Sequence, residues 1–165
     1  MLSGTPHLSI PKHSDRARRL VHVGFGACAL LLEPLGRVWS IVLAATAVLY
    51  NGLLAPRLGW DRSYRRPGEG RAGGLFTYAL AVLALVALAP FPHVAAGAWV
   101  VLAVADPVAA IAGGAARRPR WPWNRAKSVA GSLAGAIAGG VACGAILAHL
   151  DVPSPWTAGL LAGAA

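Results

Sequence analysis

The chain has 165 residues, 56% of them hydrophobic and 13% charged, with a formal net charge of +9 and a mean hydropathy of +0.58. That balance excludes an ordinary soluble domain, so the positive charge is read as membrane topology, with no nucleic-acid partner. Cys28 and Cys143 lie alone in separate apolar runs, with no CxxC and no histidine ladder nearby, so neither a disulfide framework nor a cysteine zinc site is suggested.

Residues 1–19 are polar, lack the apolar core of a cleavable signal, and form a cytoplasmic N-terminal segment ahead of one transmembrane domain, 20–165. Apolar runs follow at 20–35, 38–56, 73–92, 94–116 and 129–150, most of them close to the ~20 residues that cross ~30 Å of hydrocarbon. A sixth run, from Trp156 to Ala165, has about half that length and reads as a span cut short. The expected fold is an all-α, polytopic transmembrane helical bundle of about five full spans plus a truncated sixth.

Lys12, Arg16, Arg18 and Arg19 precede the first run; Arg57, Arg62, Arg65, Arg66 and Arg71 lie between the second and third; Arg117, Arg118, Arg120, Arg125 and Lys127 lie between the fourth and fifth. Only Arg37 falls in a loop of opposite parity. The positive-inside rule then places the N-terminus and the loops at about 57–72 and 117–128 in the cytoplasm, with the protein in the cell membrane. For most individual arginines, orientation and contact with anionic headgroups are explanation enough. The six tryptophans, among them Trp121 and Trp123, fall mainly near span ends, where an indole anchors at the interface. In the fifth run, Gly131, Gly135 and Gly139 form one row of small residues, and Ser132, Ala136, Gly140 and Gly144 form a second. Each row would let another helix approach closely.

Asp106 is the outlier among the acidic residues. It lies near the middle of its apolar run, where an ionised carboxylate costs at least ~2.5 kcal/mol. Pro107 follows and removes a backbone donor, which is expected to kink or break the helix. Together they predict a wet or ion-filled pocket reaching into the bilayer, the alternative being a structural pairing with an Arg or His of another helix. Lys127 stands beside Ser128 at the expected start of the fifth span. There Ser128 can cap the helix, and an ammonium group suits a phosphate oxygen. The bland reading of Lys127 is a snorkelling lysine at a helix end. The Walker A pattern is absent. His22 lies four residues after Arg18, on one helical face with it.

The segments ARRLVHVGFG, GGLFTYALAVLALVALAP, ADPVAAIAGG, the basic loop and KSVAGSLAG occur in an order and spacing that resembles the diacylglycerol/polyprenol kinase family. That family includes dolichol, phytol and farnesol kinases and is related to phosphatidate cytidylyltransferases. The family's Arg-Lys-x-x-His start corresponds to Arg18, Arg19 and His22, its Gly-Asp to Ala105 and Asp106, and its Lys-Ser/Thr-x-Glu-Gly-Ser block to Lys127 through Ser132. Ala105 and Ala130 depart from the Gly and the acidic residue of that pattern.

The resemblance implies transfer of the γ-phosphoryl group of CTP or ATP to a membrane lipid alcohol, either a polyprenol or diacylglycerol. It implies catalytic roles for Asp106, Lys127 and His22. Arg18, Arg19, Arg125, Lys127, Ser128, Gly131 and Ser132 would hold the nucleotide phosphates. Asp106, with Glu69 or Asp61, would hold Mg²⁺. Such chemistry needs charge neutralisation and in-line positioning more than covalent catalysis. Two other readings remain: a cytidylyltransferase-like enzyme forming a CDP-lipid, and a non-catalytic helical membrane protein or transporter that uses Asp106 as an ion or proton site.

Overall fold

The computed structural model describes residues 15–59, 73–116 and 119–165, with side chains described from Leu20 onward. Among these residues the regular structure is helical, apart from one isolated antiparallel bridge between Arg120 and Ser128. Helix α1 (Asp15–Gly26) passes through a 3₁₀ segment, Ala27–Leu31, into α2 (Leu32–Leu49). A π-helical turn, Tyr50–Leu54, leads on to α3 (Ala55–Leu58). Then come α4 (Gly74–Leu88), α5 (Pro92–Ala115), α6 (Val129–His149) and α7 (Pro155–Ala164).

Three stretches are long and apolar enough to cross a membrane: Leu20–Leu58, Pro92–Ala115 and Val129–His149. The first has 39 residues, which as a straight helix would extend about 58 Å, twice the hydrocarbon thickness. It does not run straight. Gly36 has φ +70° and ψ 169°, a conformation that a side chain would make costly. Its carbonyl accepts from Ser40 Oγ at 2.8 Å.

The contacts on either side show the chain reversing there. Before the break, Gly26 abuts Ala103, and Glu33 Oε1 lies 3.9 Å from His93 Nδ1, so this half runs antiparallel to α5. After it, Arg37 Nη2 donates to Ala87 O at 2.6 Å and Gly52 faces the Phe76 ring, so the second half returns antiparallel to α4. In consequence the start of α1, the end of α3, the start of α4, the end of α5 and the start of α6 share one end of the bundle. Arg57 and the loop before α6 are at that end; Glu33, Arg37 and His93 are at the other.

Packing inverts the pattern of a soluble protein. In α6 the buried positions are mostly glycines, joined near its C-terminal end by Cys143, Ile146 and Leu147, while Leu133, Ile137 and Val141 point outward, 57–67% exposed. In lipid, large side chains gain little hydrophobic free energy by burial, and small residues let backbones meet. The Gly131, Gly135 and Gly139 row meets α5; a Cβ on Gly131 would lie 2.7 Å from Ala109 O. The second row meets α7, Gly140 against Gly159 and Gly163, and Gly144 against the Trp156 ring. Both rows therefore act as the pattern predicts, with one exception at Ser132. In the interior Trp99 Nε1 donates to the Tyr78 hydroxyl at 2.8 Å, which satisfies two polar groups among Val82, Val86, Ala96 and Ala103.

Of the kink or break expected at Pro107, the break does not occur. Helix α5 continues through this residue from Pro92 to Ala115, with Pro107 itself buried. Pro107 has no N–H to donate to the Ala103 carbonyl, and transmembrane helices tolerate such a loss when neighbouring helices pack around the site.

Candidate functional site

The segment joining α5 to α6 folds back on itself. Val129 N donates to Pro119 O at 3.1 Å and Trp121 N to Lys127 O at 3.1 Å, forming a short two-armed ladder. At its tip Asn124 N donates to Trp121 O, Lys127 N donates to Asn124 O, and Asn124 Oδ1 accepts from Ala126 N. Asparagine serves such turns because its side chain bonds the backbone two residues on. The Arg120 guanidinium reaches across the tip and donates to the carbonyl of Arg125 at 3.0 Å, with Ala126 O at 3.5 Å. It is spent bracing the loop. Arg125 and Lys127 are exposed on the same loop and form no ion pair among the described residues.

The loop is also tied to α6. Trp121 Nε1 donates to Ser132 Oγ at 2.9 Å, and Ser132 Oγ in turn donates to Ser128 O at 3.3 Å. Ser132 thus leaves the helix-packing row to hold the loop. Ser128 is buried and caps α6, its Oγ accepting from Gly131 N at 3.0 Å, as its place before the apolar run implied. Two of the first three N–H groups of α6 are thereby occupied, Val129 by Pro119 O and Gly131 by Ser128 Oγ. The remaining one is Ala130 N–H, so most of the attraction for an anion here comes from the side chains of Arg125 and Lys127.

Asp106 is exposed on the outer surface of α5, and among the described residues it makes no hydrogen bond or ion pair. Among the described residues neither an enclosing pocket nor a pairing with Arg or His is seen at Asp106. The carboxylate stands on an open side of the bundle. Gly113 lies against Ser128 Oγ, and seven residues separate Gly113 from Asp106. Seven residues are two turns, so Asp106 is on the same side of α5 as the Ser128 cap, about 10 Å deeper. His22 packs its ring on Tyr78, centroids 4.0 Å apart. It is one turn before Gly26, which touches Ala103. On antiparallel helices this puts His22 at the level of Pro107, beside Asp106 in depth.

The structure therefore gathers Arg125, Lys127, Ser128 and Ser132 at one end of the bundle and places Asp106 and His22 at a similar, deeper level, with His22 turned to Tyr78 and Asp106 outward. Gly131 belongs to the α5 contact. Glu69, Asp61 and the side chains of Arg18 and Arg19 lie outside the described residues. Among the described residues no three His, Cys, Asp or Glu side chains cluster as a metal site, so Asp106 stands as a single carboxylate. Mg²⁺ is commonly held by one or two carboxylates plus phosphate oxygens, a donor set that Asp106 fits. The roles of Arg120 and Trp121 were not foreseen from sequence. Trp121 and its partner Ser132 are eleven residues apart, with no periodic pattern linking them.

The fold and site define an all-helical protein with helices that can cross a membrane and a closed cationic loop at one end. No protein-family model matches the chain, and no curated protein and no solved structure is significantly similar to it.

Proposed function

We propose that the protein is an integral-membrane lipid kinase, transferring the γ-phosphoryl group of CTP or ATP to the hydroxyl of an isoprenoid alcohol or diacylglycerol. The observation that carries this reading is the alignment of the closed Arg125–Lys127 loop, the Ser128 cap and the deeper Asp106 on one side of α5. The motif order described above supports the same assignment. The topology in this reading is five spans and a short sixth, with the N-terminus and the loop in the cytoplasm. The reversal at Gly36 supports it by dividing Leu20–Leu58 into two antiparallel passes.

In this mechanism Lys127 and Arg125 neutralise and orient the donor phosphates, helped by the Ala130 N–H at the start of α6. The lipid alcohol arrives from the bilayer on the open side of α5, which accounts for an exposed carboxylate at a depth where exposure is costly. Asp106 would hold Mg²⁺ together with phosphate oxygens, and the ion supplies charge neutralisation of the transferring group. His22, at the same depth, competes with Asp106 for the hydroxyl proton.

Product analysis after incubation of the membrane-embedded protein with a nucleoside triphosphate and lipid alcohols tests the assignment. Release of nucleoside diphosphate is the expected result. Release of pyrophosphate would move the assignment to a CDP-lipid-forming enzyme, and release of neither to a non-catalytic membrane protein.

A further inference from the structure

The closed loop carries a feature that phosphate chemistry leaves unexplained. The Trp121 and Trp123 rings stack, centroids 4.8 Å apart and 27° between their planes. The two rings differ in their freedom. Trp121 is held by its indole N–H on Ser132 and its backbone N–H on Lys127 O. Trp123 rests on that fixed ring with 78% of its own surface exposed. Such an outward aromatic surface, supported from behind, loses little conformational entropy when a second planar group stacks on it. Two and four residues further along stand the exposed cations Arg125 and Lys127. A flat π-face beside a pair of cations is complementary to a planar heterocycle with an anionic tail. An interfacial anchor needs only one amphipathic ring at the correct depth, and neither the stacked pair nor the clamp on Trp121 follows from that requirement.

We infer that the free face of Trp123 stacks the nucleobase of a nucleoside triphosphate whose phosphates are taken by Arg125 and Lys127. This rests on the phosphotransfer reading above and deepens it by assigning the part of the loop that holds the base. Stacking of bases on an aromatic ring is tolerant of base identity, and the platform offers no hydrogen-bond edge to read. Cytosine and adenine are therefore both accepted here, and discrimination between CTP and ATP is small.

Equilibrium binding to the full chain in lipid nanodiscs tests this with three probes: CTP, ATP and inorganic tripolyphosphate. Both nucleotides bind the wild type more tightly than tripolyphosphate. Trp123→Ala weakens both nucleotides roughly 5–100-fold and leaves tripolyphosphate unchanged, while Trp123→Phe restores most of the loss. Nucleotides that bind no better than tripolyphosphate, or that are indifferent to Trp123→Ala, overturn the platform and make Trp123 an interfacial anchor. The phosphate site stands in that case, because tripolyphosphate still binds. Failure of all three probes to bind the wild type refutes the platform and the kinase reading together.

Discussion

The indole N–H of Trp121 donates to the hydroxyl of Ser132 at 2.9 Å, fastening one arm of the cationic loop to the first turn of α6. Trp121→Phe keeps the ring and deletes the donor. A net hydrogen-bond contribution of about 0.5–1.5 kcal/mol corresponds to a several-fold increase in loop opening. Limited trypsin digestion in sealed membranes reads it through cleavage after Arg125 and Lys127. Faster cleavage than in the wild type is expected, and an unchanged rate would mean that the clamp does not hold the loop closed.

The two glycine rows of α6 differ sharply from glycines that touch nothing. A Cβ at Gly131 would meet Ala109 O at 2.7 Å and one at Gly140 would meet Gly159 O at 2.8 Å, whereas at Gly114 nothing lies within 4 Å. Gly131→Ala and Gly140→Ala should each destabilise the bundle by about 1–3 kcal/mol through forced backbone separation. Gly114→Ala should be neutral or stabilising by up to about 1 kcal/mol, since it only improves helix propensity. Thermal unfolding in detergent, followed by circular dichroism, separates the two classes. Equal melting temperatures for all three variants would contradict the packing described for α6.

Gly36 sits at φ +70° where the chain turns back. Gly36→Ala should cost about 1–3 kcal/mol, with lower yield of inserted protein and a lower melting temperature. A variant as stable as the wild type would indicate that the reversal does not need this positive-φ conformation.

Arg37 is the cation of opposite parity, and its guanidinium donates to Ala87 O at the end of α4. It is solvent-exposed and at the end of the bundle away from the loop. Arg37→Ala is expected to cost about 0.5–1.5 kcal/mol in stability and to leave phosphotransfer intact. Loss of transfer in a folded Arg37→Ala protein would place part of the chemistry at the wrong end.

Hydropathy and spacing locate the long elements closely. The apolar run 94–116 is realised as Pro92–Ala115, and 129–150 as Val129–His149. The two glycine rows are also legible, because four-residue spacing defines a helix face whatever packs on it. Which helix packs on each face depends on tertiary arrangement, and the pattern carries no record of it. Pro107 misleads for a related reason: its local penalty is fixed, but whether the helix breaks depends on surrounding packing. In the candidate site, Ser128 announces its capping role through its position before an apolar run. Arg120 is indistinguishable in sequence from Arg125, yet one braces the loop backbone and the other is exposed with no ion pair among the described residues. The outward placement of Asp106 is likewise hidden, since hydropathy reports depth along a helix and not which side of it faces the bundle.

The most direct measurement is transfer of label from γ-labelled CTP and ATP, with and without Mg²⁺, to a mixture of phytol, farnesol, a long polyprenol and diacylglycerol. Wild type, Asp106→Asn and Lys127→Ala are compared in membranes after insertion has been matched. A Mg²⁺-dependent labelled lipid is expected from the wild type and none from either variant. Near-wild-type labelling by Asp106→Asn, or no labelled lipid from the wild type with any acceptor, would contradict the kinase reading.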